Sequence, residues 1–218
     1  MRIQGISGSR GVAVGNVYRY IQEEIVIPDY TVAEDKVEEE IGKFAAAMAA
    51  TLKQLDTIRQ KALDEMGPEE AAIFEAHMQI AQDPSLSDGI KSLVESSHTN
   101  VVAATAQTIE TFANIFLGME DPYMRERGAD IKDIGDRLMR NMLGMNPRGL
   151  SHISGEVILV AQDLAPSDTA SLDKNVVKGI VTAAGGPTSH AAIMARTLEI
   201  PAVMGVGDIE SFVDGDKA

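Results

Sequence analysis

Gly185-Gly186-Pro187-Thr188-Ser189-His190 runs directly into Ala191-Ala192-Ile193-Met194-Ala195-Arg196-Thr197-Leu198, and Gly179-Ile180-Val181-Thr182-Ala183 comes just before it. An apolar, β-branched run, a glycine turn and a helical run in that order predict strand, turn, helix. Paired glycines allow positive φ and close approach of the backbone to a ligand. Thr188 and Ser189 can cap the helix or donate to phosphate oxygens. A histidine at the mouth of that helix lies where backbone N–H groups point outward and the helix dipole favours an anion. Neutral imidazole attacks phosphorus, and the phosphoramidate formed transfers onward readily. His190 is therefore the candidate to carry a phosphoryl group, with Gly185, Gly186, Thr188 and Ser189 the candidates to cradle it.

Outward from this turn, Glu156-Val157-Ile158-Leu159-Val160 reads as a buried strand. Pro166-Ser167-Asp168-Thr169-Ala170-Ser171-Leu172 reads as a short capped helix, and Pro201-Ala202-Val203-Met204 as another strand. The first 30 residues are also extended in character: Ile3–Gly8 and Val12–Tyr20 are glycine-punctuated and rich in Val, Ile and Tyr. From Ala33 to about Leu143 the pattern is helical instead. Ile41, Phe44, Ala45, Met48, Leu52, Leu55, Ile58 and Leu63 recur at three- and four-residue intervals. Breaks at Gly67-Pro68, Asp83-Pro84, His98-Thr99-Asn100 and Asp121-Pro122 predict one long helix and four shorter ones. Their short loops suit antiparallel neighbours in a bundle. The N-terminal strands find no strand partner there and must join the C-terminal part. The expected architecture is a discontinuous α/β domain, residues 1–30 plus 146–218, with an all-α helical-bundle domain, residues 31–145, inserted in it. Phe212-Val213-Asp214-Gly215-Asp216-Lys217-Ala218 reads as a turn leading toward a further strand, as in a piece of a longer protein.

Composition excludes more than it identifies. A formal charge of -14 over 218 residues argues against nucleic acid and favours a basic protein partner. Only 4% of residues are aromatic and none is Trp, so stacking platforms for bases are not expected. There is no apolar run long enough to span a bilayer and no signal-like N-terminus, so a cytoplasmic location is the expectation. The absence of cysteine excludes disulfides and thiol chemistry. His77, His98, His152 and His190 show no i,i+4 pairing or acidic companion at ligand spacing, so no metal site is expected. Met48, Met66, Met139, Met142 and Met145 read as core, and Glu34–Glu40 as a solvated helix start whose charge complements the dipole.

The chain resembles Enzyme I of the bacterial phosphoenolpyruvate-dependent sugar phosphotransferase system, in its N-terminal, phosphohistidine half. The resemblance is carried by Gly185–His190 and Met194–Val203, by Glu156–Ala161, and by Ala165-Pro166-Ser167-Asp168-Thr169-Ala170. In the helical segment Ala72-Ile73-Phe74-Glu75-Ala76-His77 and Ala129–Leu138 fit as well, so it spans nearly the whole chain in order. The histidine motif alone is shared with pyruvate phosphate dikinase and phosphoenolpyruvate synthase; the helical matches favour Enzyme I.

What this resemblance implies is a swivelling phosphohistidine domain in which His190 is phosphorylated on Nε2 and Thr169 hydrogen-bonds the unphosphorylated ring. On its own residues, Thr169 could equally cap or pack in its short helix. The helical domain is implied to dock HPr, the small phosphocarrier, through an apolar patch and charged rim comprising Phe74, His77, Met78, Ile80, Leu86, Phe116, Met124 and Arg127. Without the resemblance, His77 is as well read as a partly buried histidine. A separate C-terminal (β/α)8 barrel would bind phosphoenolpyruvate and Mg²⁺ and dimerise. The present chain is then expected to be a monomer that exchanges phosphate with HPr without a cofactor, and the full-length protein a homodimer. Three departures stand out: Pro187 where the family often has a polar residue, Glu70 or a neighbour where it often has Lys, and Gln79 and Ala81 in the path of the docking surface. The alternatives are a nitrogen-branch or dihydroxyacetone-kinase-type homologue, a dikinase swivelling domain, which would lack the helical insertion, and a non-catalytic helical binding module, for which Pro187 is the argument.

Overall fold

The computed structural model describes residues 3–146, 150 and 153–218, with the backbone alone at 122 and 123. The chain forms two compact units, Met1–Glu23 with Arg148–Ala218, and Glu24–Pro147. In the first unit, β1 (Ile6–Ser9), β2 (Asn16–Tyr20), β3 (Val157–Ala161), β4 (Val177–Thr182) and β5 (Ala202–Met204) make a five-stranded sheet in the order β1-β5-β4-β3-β2. β2, β3, β4 and β5 run parallel, and β1 pairs antiparallel with β5 at one edge. Every residue of β3 is buried, as a continuous Val-Ile-Leu-Val-Ala run requires of a strand covered on both faces. The last residues do not lead away from the sheet. Gly15 and Ala218 exchange both backbone hydrogen bonds, at 2.9 and 3.0 Å, and Lys217 bridges to Asn16 beside β2.

The second unit holds α1 (Val37–Glu65), α2 (Pro68–Ala81), α3 (Pro84–Ser97), α4 (Val101–Leu117) and α5 (Pro122–Leu143). The four breaks lie where the Pro and cap residues place them. Asp83 accepts from Ser85 N and Asn100 from Ala103 N, each satisfying a first-turn donor that the helix leaves orphaned. Phe44, Leu86, Ile90, Val94, Val101, Ile109 and Ile131 form the main apolar core. On α1 the inward positions include Ala62, whereas Leu63 faces outward. A polar seam joins α1 to α5: Asn141 Nδ2 donates to Thr51 Oγ1 (2.8 Å), and Arg137 NH1 to Gln54 Oε1 (3.0 Å).

Two sequence expectations shift here. The segment before α1 belongs to the helical unit from residue 24 rather than 31, because it is tied to the α3–α4 junction. Val32 is buried and its N–H donates to His98 O (2.8 Å), while Asn100 Nδ2 donates to Pro28 O (2.8 Å) and Tyr30 O (3.2 Å). Glu40, in the acidic run expected to be solvated, is buried and accepts from Val101 N (2.9 Å), at the first turn of α4. No helix among the described residues is long and apolar enough to cross a membrane.

Candidate functional site

The short helices α6 (Pro166–Thr169) and α7 (His190–Thr197) pack against each other, and α7 also packs on β1. β4 ends at Thr182, whose hydroxyl donates to Ala184 O (2.6 Å) and starts the turn toward α7. Gly185 has φ +90°, a conformation that side-chain-bearing residues avoid, so the turn depends on a glycine there. Ser189 N donates to Gly186 O (3.1 Å). The Ser189 hydroxyl is used twice within the turn, donating to Gly186 O (2.9 Å) and accepting from Ala192 N (3.3 Å) as the N-cap. His190 is half-buried as the first residue of α7. The N–H groups of His190 and Ala191 belong to the first turn, which has no carbonyl partners of its own in the helix. Together with exposed Thr188, they are the donors this mouth can offer an anion.

Pro187 is exposed and contributes through its carbonyl, which accepts from Arg196 NH1 (2.9 Å). The same nitrogen donates to Gly8 O of β1 (2.7 Å). Sequence reasoning gave Arg196 no role. The available signal was a cation in the last turn of a helix whose side chains lean back toward its N-terminus.

Thr169 stands in α6, beside α7, but it does not bond His190. Its hydroxyl is buried and donates to Pro166 O (2.8 Å), with a longer approach to Ala165 O (3.3 Å). A Thr at the end of a helical turn satisfies itself on the carbonyl one turn back, and that local bond wins here. What holds α6 in place is Asp168, which was not singled out. Its buried carboxylate accepts from Ala165 N (3.1 Å), Tyr20 OH (2.8 Å) and Gln22 Nε2 (3.3 Å), linking α6 to β2. An acidic residue three positions after the N-cap Ala165 was the readable sign of that back-bond.

In the helical unit the eight expected docking residues part into two groups. Ile80, Leu86, Phe116, Met124 and Arg127 line one groove of about 620 Å³ between α2, α3, α4 and α5, together with Gln79, Phe112 and Ile115. Phe74 and His77 do not reach it; both are fully buried on the opposite side of α2. The His77 ring meets Phe74 edge-on at 5.7 Å, with Nε2 3.1 Å from Asp130 Oδ1 and Nδ1 3.9 Å from Asp133 Oδ2 on α5. Asp130 and Asp133 are themselves buried, so His77 faces them in the interior of the helical unit, away from solvent. Met78 is half-buried and lies off the groove, and Ala81 is buried, so of the two departures named there only Gln79 touches the groove. Glu70 is in the first turn of α2. His98 ends α3 in the left-handed region, with Nε2 3.3 Å from Glu34. His152 lies outside the described residues.

Residues 4–127 match the family model described as PEP-utilising enzyme, N-terminal, and residues 153–218 the one described as PEP-utilising enzyme, mobile domain. The chain belongs to the PEP-utilising enzymes. Within that family it is 44% identical over 216 residues to a phosphoenolpyruvate-protein phosphotransferase of Streptococcus equinus, and 42% identical over 215 residues to that of Geobacillus stearothermophilus. Each alignment covers 98% of this chain and 37% of the relative, so the chain spans little more than a third of the length of these PEP-utilising enzymes. Among solved structures, an Enzyme I structure determined by NMR in solution matches with a TM-score of 0.83 at 41% identity, over 99% of this chain and 88% of that one. The N-terminal domain of a nitrogen Enzyme I matches with a TM-score of 0.67 at 25% identity over the same shares.

Proposed function

We propose that this chain is the phosphohistidine and carrier-docking part of an Enzyme I, with His190 relaying a phosphoryl group from phosphoenolpyruvate to HPr. The observation that carries this reading is the placing of an accessible histidine at the first position of α7, after a glycine turn with no acidic side chain. With Nδ1 holding the ring proton, the Nε2 lone pair attacks phosphorus. A P–N bond forms as the bond to the donor breaks, and the reverse step delivers the group to the histidine of the carrier. The protein's part is to hold the ring and to meet the transferring oxygens with fixed donors, since such transfer rests on positioning and electrostatics. Thr188 and the first-turn N–H groups of α7 take that role. Thr169 donates to Pro166 O and keeps its lone pairs, so its part is to accept from the imidazole Nδ1–H once the ring turns toward α6, with the bond to Pro166 O retained.

The groove of Ile80, Leu86, Phe116, Met124 and Arg127 is the proposed seat of HPr, with an apolar floor and a cation at its rim. Phosphoenolpyruvate and Mg²⁺ fall to a C-terminal barrel not present in this sequence, which would also form the homodimer; the chain alone is then a cytoplasmic monomer. The α/β unit would swivel between that barrel and HPr.

The test is incubation with labelled phospho-HPr followed by assay for acid-labile, alkali-stable phosphate on the chain. The wild type is expected to be labelled and His190→Ala to remain blank. Equal labelling of both would remove His190 from the relay. A blank wild type would leave a helical binding module as the better reading.

A further inference from the structure

Resting on that reading, we infer that Arg196 is the positioning residue of the histidine turn, a clamp that fixes the mouth of α7 by holding two backbone carbonyls from distant parts of the chain on a single nitrogen. Arg196 NH1 carries two hydrogens, and the structure gives each an acceptor: Gly8 O at 2.7 Å and Pro187 O at 2.9 Å. Gly8 belongs to β1, at the edge of the sheet, and Pro187 to the turn that ends in His190. The guanidinium therefore ties the glycine turn before His190 to the edge strand of the sheet.

The turn needs such a tie. Gly185 and Gly186 give the backbone more freedom than any other residue pair would, and Gly185 is already in the positive-φ region. As far as Ala184 the backbone is tied to the strands beside it, with Ala183 N–H donating to Ala161 O (3.0 Å), Ala184 N–H to Gln162 O (2.9 Å) and Gly205 N–H to Ala184 O (3.3 Å). From Gly185 to Ser189 the other bonds are local, the Ser189 N–H and hydroxyl on Gly186 O. Among the described residues, the Arg196 bonds are the ones that tie the Gly185–Ser189 stretch to another strand. Pro187 makes a good handle because its ring fixes φ, so a carbonyl held at that residue restrains the peptide planes on both sides. The departure at 187 thus keeps a function in this chain through its oxygen.

On the β1 side the approach depends on Gly8 itself. A Cβ there would lie 2.8 Å from Met204 Cγ and 3.4 Å from Ala192 Cβ, so β1 can press against β5 and α7 only without a side chain. Arg196, in the last turn of α7, reaches back along its own helix, the direction in which helical side chains lean. Arginine suits the task because the planar, permanently charged guanidinium holds the two N–H bonds of that nitrogen in fixed directions.

A clamp of this kind acts on the rate of transfer and leaves carrier affinity alone. In the whole chain, Arg196→Gln is expected to slow phosphoryl exchange with saturating phospho-HPr by about tenfold or more, the scale of loss from small misplacement of reacting groups, with the KM for HPr unchanged. Amide hydrogen exchange at Gly186, Thr188 and Ser189 should quicken while that of β3 stays as in the wild type. Arg196→Lys, which keeps the charge without the planar fork, should lie between the two. Unchanged amide exchange in the turn overturns the clamp, as does a rate loss that appears wholly as a raised KM. So does a rate loss matched by faster exchange throughout the sheet, which would make Arg196 a general stabiliser. If the wild type takes no phosphate from HPr, the relay fails as a reading, and the amide exchange of the turn still decides the clamp by itself.

Discussion

Glu40 shows how much one side chain can do between elements. It is buried, yet it accepts from Val101 N at the start of α4, from Tyr30 OH in the segment before α1, and from Lys43 one turn along α1. Burial alone pushes its carboxyl pKa up; the Lys43 ammonium, the Val101 N–H and the Tyr30 hydroxyl together outweigh it and hold it below the ordinary carboxylate value. A carboxylate with a depressed folded pKa stabilises the fold above its unfolded pKa of about 4.3, and that contribution is lost as pH falls through the folded value. Glu40→Gln should therefore cost about 1–3 kcal/mol at neutral pH, since at least one donor loses its acceptor in a buried site. Urea titrations at a series of pH values should show this gap narrowing below about pH 4. A gap that stays constant into acid would remove the charge from the account. Nothing in Glu34–Glu40 marks the fourth glutamate as different from its neighbours, because the donors that select it come from residues 30 and 101.

At the scale of elements, α2 presents two faces that the sequence did not separate. Ala71, Phe74, His77 and Ala81 recur at intervals of three and four and turn inward, whereas Gln79 and Ile80 turn to the groove. Phe74→Ala should then act as a core truncation, lowering stability by about 3–5 kcal/mol. Phe116→Ala, at the groove, should lose less stability and weaken HPr binding by roughly tenfold, as removal of one aromatic anchor does. Chemical denaturation and calorimetric titration with HPr read the two effects separately. A fully stable Phe74→Ala that binds HPr poorly would return Phe74 to the docking surface. The helical breaks needed no such help. Pro68, Pro84 and Pro122 lack the N–H that a helix interior would require, so each begins a helix whatever surrounds it. The histidine turn was equally readable, since a glycine pair ends the β-branched run and Ser189 caps the helix that follows. Thr169 was not, because whether a hydroxyl that donates within its own helix also meets a neighbouring ring depends on how α6 and α7 pack, which spacing alone does not show.

Over the whole molecule, the formal charge of -14 sets the long-range part of any encounter. With a basic face on HPr, association should slow and weaken severalfold between about 0.05 and 0.5 M salt as the Debye length shrinks from about 14 to about 4 Å. Stopped-flow binding at several salt concentrations tests this, and insensitivity to salt would confine recognition to the apolar groove. Local chemistry alone settles which runs are strands and helices, where prolines and caps divide them, and that a histidine opens a helix after a glycine turn. It also requires the N-terminal strands to rejoin the C-terminal part, because a strand must satisfy its backbone groups on another strand. The tertiary structure decided which of several chemically equal residues met a partner: Glu40 among the glutamates, Ile80 against Phe74 and His77, and Arg196 across Gly8 and Pro187. Those outcomes rest on contacts between residues far apart in the chain, where burial and a few hydrogen bonds, rather than spacing, select the side chain that matters.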